Sequence, residues 1–368
     1  MADKAEVRLR LGEGRISGAL AAVLGLSSFG GALCFHFPQF LTTGDLRAVY
    51  DVDLLREVLY WCIVGASVSG ALNFLFEHGR RLAVVGLVSA AGAALLGGPS
   101  IESSGAAAAA GAISLDWLIL DLLVSALLFV PLEKLLRHRE QLVLRQQWWV
   151  DLQYFAVTHL VISYVLLVTV NAAPTLFGWA VSDVVQGTVR SWPIWVQFLV
   201  AALCADLAQY WVHRLYHTRA LWKVHAVHHS APVMDWLAGS RLHLFEVLAT
   251  RIAVLTPLFL AGFAEPAIEA YVVLVGVQAV LVHANIGLRF GWLEYLIVTP
   301  RYHHWHHSDD RAAADTNFAV HFPVIDLLFG TFHLPRGEWP ESYGVIGEDL
   351  PEGIVGQHLY PFRQSALR

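Results

Sequence analysis

The chain has 368 residues, 56% of them hydrophobic and 15% charged, with a formal net charge of −6 and a mean hydropathy of +0.54. Soluble globular proteins carry about 25% charged residues, so this composition excludes a disordered chain, a soluble enzyme of ordinary surface and a nucleic-acid binder with a basic face. Eighteen histidines, eleven of them between His213 and His307, are out of place in so apolar a chain, because imidazole is costly inside lipid.

A bilayer core takes about 20 apolar residues per helix. On that measure eight spans are expected, at 17–37, 57–76, 82–98, 108–131, 153–173, 193–212, 244–263 and 267–288. The first is too long, and lacks the small-residue cleavage flank, to read as a signal peptide. Basic residues gather in alternate loops. Lys4, Arg8, Arg10 and Arg15 precede the first span, Arg80 and Arg81 follow the second, and Lys134, Arg137, Arg139 and Arg145 follow the fourth. The other loops hold few cations (Arg47, Arg56, Arg190) and the acids Asp45, Asp51, Asp53, Glu57, Glu102 and Asp183. The positive-inside rule then places the N-terminus in the cytoplasm. With eight spans, every histidine from His213 to His307 emerges on that same side. Scarce lysine beside 21 arginines and abundant alanine suggests a GC-rich bacterial gene, hence an inner membrane.

The expected organisation is two parts. Residues 1–145 hold four spans and no histidine cluster; 146–368 hold four spans, the cluster and a Pro-punctuated tail. The fold class is all-α, a polytopic membrane bundle with a cytoplasmic helical cap. Cys34, Cys62 and Cys204 lie in apolar runs without CxxC spacing, which argues against disulfides and a thiolate metal site.

Three boxes carry the chemistry. His213 and His217 form HxxxH; His225, His228 and His229 form HxxHH; His303, His306 and His307 form a second HxxHH. Positions i, i+3 and i+4 share one helix face, so each box directs its imidazoles together, as a metal requires. One HxxxH arises often by chance, and a solvated cationic loop is the bland alternative. Eight box histidines exceed the ligands of one ion, so two metals sharing a pocket is the economical inference. Imidazole suits Fe, Zn, Cu and Ni; zinc would imply hydrolysis or a structural site.

These boxes resemble those of the fatty acid hydroxylase/sterol desaturase superfamily of membrane di-iron oxygenases. The run from Asp206 to His213 resembles the family's entry to the first box, and Leu221–His225 its entry to the second. Ser240–Glu246 is similar to an Arg-x-His-Pro-x-Glu segment, with Leu244 in place of proline. Thr299–His303 leads into the third box, and Asp315–Phe318 with Asp326–Phe332 resembles the closing motif. The likeness covers about 195–335 and leaves the first 145 residues without a counterpart.

The resemblance implies two iron ions held by the box histidines, with O2 as co-substrate. It implies hydroxylation or desaturation of a lipid drawn from the membrane: a sterol, a fatty acyl chain or a related molecule. The family also carries a lone histidine ahead of the last box. His283, with 19 residues between it and His303, takes that place among the expected metal ligands. No distinct catalytic residue is expected beyond the ligands. His243 and Asp206 are further candidates as ligand or supporting residue, as are Asn285 and Asn317; local capping is the alternative for both asparagines. Tyr216, Tyr302, Trp305 and Trp211 are candidate substrate-lining residues, or members of an interfacial aromatic belt. His304 should point off the ligand face. His36 and His78 lie at opposite ends of their spans, His159 reads as packing, and His321, His333 and His358 have no spacing partner.

No dinucleotide-binding loop or fused cytochrome-like domain is visible, so a separate electron donor (a ferredoxin, cytochrome or reductase) is expected. A histidine-rich metal transporter is the rival class; it would need polar ligands at mid-depth of the spans. A zinc hydrolase would need a carboxylate in an HExxH-like setting, and none is present.

Overall fold

A computed structural model describes residues 15–49, 51–76, 80–102, 112–348 and 350–363. Lys4, Arg8, Arg10, His78 and the first residues of the span expected at 108–131 lie outside the described residues. Among the described residues the chain is helical, without a strand. Seven of the described helices are long and apolar enough to cross a membrane, and the chain is an integral membrane protein.

Contacts divide the molecule into two units. One runs to Ala126 and takes in Gln141–Arg145 and His159–Tyr164. The other holds Leu127–Glu140, Gln146–Thr158 and the chain from Val165 onward.

In the first unit α1 (Arg15–His36), α2 (Val52–Phe76) and α3 (Arg80–Leu95) pack on one another. Small residues set the spacing of α1 on α3. A Cβ on Gly86 would lie 2.2 Å from the Ala21 carbonyl oxygen, and one on Gly25 would lie 2.3 Å from the Gly86 carbonyl oxygen. In lipid, where the solvent is as apolar as leucine, such backbone-to-backbone packing is what holds helices together. The next helix, α4 (Leu115–Leu135), begins here, with Asp116 accepting the Thr43 amide at 3.0 Å.

The single span expected at 153–173 resolves into two helices, α5 (Trp148–Leu160) and α6 (Ile162–Phe177), broken at Val161. Polar bonds sit at the break. Ser114 donates its amide to the Leu160 carbonyl at 3.4 Å, and His159 Nε2 lies 2.7 Å from Asp121 Oδ2. Apolar residues run on through the turn, so hydropathy alone does not register it.

In the second unit the short α7 (Asp183–Arg190) leads into α8 (Ile194–Tyr216), which packs against α10 (Leu244–Ala261) and α11 (Glu265–His283). Between α8 and α10 in the chain lies α9 (Trp222–His229). Along α8, at every fourth residue, Trp195, Leu199, Leu203, Leu207, Trp211 and Leu215 are exposed in a row that winds about the helix. That spacing makes a continuous apolar stripe, the kind of surface a bilayer covers.

The C-terminal ends of α4, α8 and α11 and the first turns of α5 and α10 share one end of this unit. Glu133 near the end of α4 accepts the amides of Trp236 (2.7 Å) and Asn285 (2.9 Å). Asp151 of α5 holds Arg241 in a fully buried ion pair. At the opposite end Gln186 donates to the Phe259 carbonyl at 3.1 Å, and Gln197 accepts the Ala264 amide at 2.8 Å. The tandem α5–α6 therefore starts at the histidine end, and the chain re-enters α8 from the other.

The cap itself comprises α9, α12 (Pro300–His306), α13 (Val324–Phe329) and α14 (Ile354–Leu359). Thr299 caps α12 by accepting the Tyr302 amide, and Pro300 occupies its first position, the arrangement that best starts a helix. Arg301 of α12 is paired with Glu294 and donates to the Pro335 carbonyl at 2.6 Å.

Candidate metal centre

The nine histidines expected as ligands come together in two groups. His213, His217, His225, His229 and His306 form one, and His228, His283, His303 and His307 the other. Within each group one nitrogen per residue lies within 4.8 Å of all the others. Eight of the nine are buried and His217 is nearly so.

Each HxxHH box feeds both groups. On a helix of about 100° per residue, i+4 stands about 40° to one side of i and i+3 about 60° to the other. In α9, His225 and His229 join the five-histidine group and His228 the four-histidine group. In α12 the assignment is reversed: His303 and His307 belong to the four-histidine group and His306 to the five. The common direction expected for each box is thus resolved into two.

Hydrogen bonds fix the ring orientations. His213 Nδ1 donates to the Phe318 carbonyl (2.8 Å), His228 Nδ1 to that of Arg241 (2.9 Å), His283 Nδ1 to that of Ala279 (2.7 Å) and His306 Nδ1 to that of Thr316 (2.7 Å). A carbonyl only accepts, so in each neutral ring the proton sits on Nδ1 and Nε2 presents a bare lone pair. His228 and His283 aim those lone pairs at each other across 3.4 Å. His306 Nε2 and His217 Nε2 are buried with no hydrogen-bond partner. Converging lone pairs without protons between them repel; a cation between them removes the conflict. The donor set fits metal ions, with neutral nitrogen ligands and each proton-bearing nitrogen anchored behind.

Electrostatics agree. Burial pushes the imidazoles of His225, His229, His303, His306 and His307 well below their ordinary value, and His228 down to about 3. At neutral pH these rings are unprotonated, the form that binds metal. His217 is also lowered by burial, opposed by its bond to Asp315 (Nδ1 to Oδ1, 3.1 Å).

Among the described residues, the carboxyl groups bonded to rings of the two groups are those of Asp315 and Glu246, whose Oε1 lies 2.8 Å from His225 Nδ1. Both stand in motifs noted in the sequence, yet neither was singled out there. Their signal is chemical: an acid within a histidine-box motif is available to orient a ligand ring. Asp206, the acid expected in that role, touches no histidine ring. It accepts the amides of Val320 (2.7 Å), His321 (3.1 Å) and Phe322 (2.7 Å). It thereby fixes the loop whose Phe318 carbonyl orients His213.

The remaining candidates lie outside both groups. His243 caps α10, accepting the Phe245 amide on Nδ1, while its Nε2 meets the His358 carbonyl at 3.1 Å. Asn285 exchanges two bonds with the Arg139 backbone, at 3.0 and 2.8 Å. Asn317 sits at φ +59° and bonds the Tyr302 and His333 backbones. Tyr216 stacks on His225 with centroids 5.6 Å apart. Tyr302 is fully buried and donates to Asp326 at 2.7 Å, and Trp305 donates to the Glu338 carbonyl at 3.2 Å. Neither lines the cavity that opens beside the five-histidine group. Trp211 belongs to the exposed stripe of α8. His304 turns away as expected, between Tyr343 (2.9 Å) and the His283 carbonyl (3.2 Å).

Residues 198–331 match the model of the fatty acid hydroxylase family. The matched segment contains all nine histidines of the two groups. Over that segment the chain is similar to the fatty acid hydroxylase/sterol desaturase superfamily. It is 30% identical over 206 residues to ornithine lipid hydroxylase OlsE of Rhizobium tropici, covering 54% of this chain and 62% of the relative. Alkylglycerol monooxygenase of Homo sapiens is 30% identical over 138 residues, 36% of this chain and 29% of the relative. Very-long-chain aldehyde decarbonylase GL1-4 of Oryza sativa subsp. indica is 26% identical over 190 residues, 47% of this chain and 30% of the relative. The chain thus spans less than two thirds of the length of these relatives. No solved structure matches it.

Proposed function

We propose that this protein is a membrane di-iron oxygenase that hydroxylates or desaturates a lipid, using O2 and electrons from a separate donor. The observation that carries the reading is the convergence of bare, neutral imidazole nitrogens in two adjacent groups inside a family-matched segment. His213, His217, His225, His229 and His306 would hold one iron, and His228, His283, His303 and His307 the other. When bound, the iron pair supplies the redox chemistry for oxidising an unactivated C–H bond. For hydroxylation the balance is R–H + O2 + 2 e⁻ + 2 H⁺ → R–OH + H2O. The protein's residues hold the rings neutral, orient them through backbone carbonyls and carboxylates, and exclude water by burial.

The orientation follows from charge. Lys134, Arg137, Arg139 and Arg145 cluster in sequence at the end of α4, and Arg139 bonds Asn285 beside the histidine centre. If the basic loop is cytoplasmic, so is the centre. The membrane is then a bacterial inner membrane, with the tandem α5–α6 making the crossing between the basic loop and α8.

Two measurements test this. Metal analysis of the purified protein should find two irons per chain, and lipid mass spectra of cells with and without the protein should differ by one oxygen atom or two hydrogens. Active protein without iron would sink the reading, as would full activity after His228→Ala.

A further inference from the structure

Three polar side chains face the interior of the second unit's bundle from within its spans. Arg251, the eighth residue of α10, shares a helix face with the buried Val247, Val254 and Leu258. Tyr271 of α11 shares one with the buried Ala267, Gln278 and Val282. Gln209 of α8 stands four residues from the buried Ala205 and four from the buried His213. Among the described residues no hydrogen bond or ion pair engages the Gln209 amide, the Arg251 guanidinium or the Tyr271 hydroxyl. Arg251 and Tyr271 are close enough to interact electrostatically. The acids of the same helices are engaged elsewhere: Asp206 holds three loop amides and Glu246 faces His225. A cation inside a span is costly and calls for a partner.

The three residues border one cleft. α10 and α11 each pack on α8 but scarcely on one another. The cleft between them is floored by α8, where Ala201, Ala202 and Ala205 are small. Tyr216 of α8 meets Thr250 of α10, and Tyr210 packs with Val282 of α11; Gln209 points between those two directions. α8 and α10 run antiparallel, and two bonds fix their register. Tyr216 donates to the Glu246 carbonyl, and Gln197 accepts the Ala264 amide just past α10. Stepping along both helices from either bond sets Gln209 level with residues 252–253, beside Arg251. That level is about 6 Å along α8 from His213 and about 7.5 Å along α10 from Glu246.

Guanidinium, amide and phenol all donate hydrogen bonds, and the one formal charge among them is positive. Such a set matches an oxyanion, a carboxylate or a phosphodiester. In a cleft between membrane spans, that oxyanion arrives on a lipid. We propose that the cleft holds the anionic group of an acidic lipid, with Arg251 as its counter-charge and Gln209 and Tyr271 as further donors. On the oxygenase reading above, that lipid is the substrate, and Arg251 selects acidic lipids over neutral ones.

Photo-crosslinking of the full-length protein in phosphatidylcholine nanodiscs tests the site without turnover. The probes are a diazirine fatty acid with its methyl ester as neutral control, and a diazirine phosphatidylglycerol with the matching diacylglycerol. At least one acidic probe should label peptides of α8, α10 or α11 well above its control, and the stronger of the two identifies the anion. Arg251→Gln should cut that labelling about tenfold, the loss expected for one hydrogen bond to a charged group. Arg251→Lys should restore most of it, and Tyr271→Phe, a milder change, should also reduce it. Equal labelling by the neutral controls, or labelling indifferent to both Arg251→Gln and Tyr271→Phe, overturns the inference. Lipid mass spectra of cells with and without the protein test the substrate assignment. A modified lipid that is acidic supports it. A modified lipid that is neutral overturns it and leaves the oxygenase reading standing. No modified lipid, with labelling intact, overturns the oxygenase reading and leaves the anion site.

Discussion

His228 and His229 are neighbours in sequence and belong to different histidine groups, and so, on the proposed reading, to different metal positions. Replacing either with alanine removes one imidazole from one group. His228→Ala should empty the four-histidine position and His229→Ala the five-histidine position, so neither variant should retain more than one iron per chain on metal analysis. Glu246→Gln keeps the shape but replaces the carboxyl group behind His225 with an amide. Losses of such outer partners cost roughly 10–100-fold in metal affinity, which a chelator competition would read. Asp206→Asn should act differently. It weakens three bonds to backbone amides, each charge-assisted bond being worth roughly 1.5–3 kcal/mol. The expected outcome is a lower Tm with iron content kept in the folded fraction. At this scale the sequence was informative about which histidines converge and less so about the groups that support them. The eight box rings are marked by their spacing, and His283 by its place ahead of the last box. Which carboxylate faces which ring depends on the path of the 315–322 loop, and no local pattern encodes that.

Among the helices, the long apolar elements were legible because a run of about 20 apolar residues matches the thickness of a bilayer and little else. The break at Val161 was not, since the bonds that mark it come from Ser114 and Asp121 on a distant stretch of chain. Nor was the crossed assignment of the two HxxHH boxes. Periodicity gives the face of a helix but not how two ions divide that face. The contact of α1 with α3 offers a test confined to the first unit. Gly86→Leu would drive a side chain into the Ala21 backbone. It should lower the yield of folded protein, measured by detergent-solubilised size-exclusion profiles, whereas Gly276→Ala, with open space around it, should not. In the cap, Thr299→Ala removes the α12 cap and should cost about 1 kcal/mol, seen as a modest fall in Tm.

For the molecule as a whole, burial of neutral histidines sets the response to acid. His321 is buried, bonded to Gln278 at 2.6 Å, and its imidazole is pushed down to about 4 by burial. In the unfolded chain it titrates near 6.5. The folded form therefore resists protonation that the unfolded form accepts. Stability from this residue is complete above about 6.5 and is lost as pH falls toward 4, by up to about 1.4 kcal/mol per pH unit. Thermal melts of the wild type should show this acid limb, and His321→Gln should flatten it.

The crossed boxes have a consequence for maturation. Since α9 and α12 each contribute to both groups, an ion bound in one group, on the proposed reading, would restrain both helices and so pre-arrange most of the ligands for the second. The ordering cost is met once, and the second ion should bind more tightly than the first. Iron titration of the apoprotein should then show positive cooperativity, with half-loaded molecules scarce at every stage of filling.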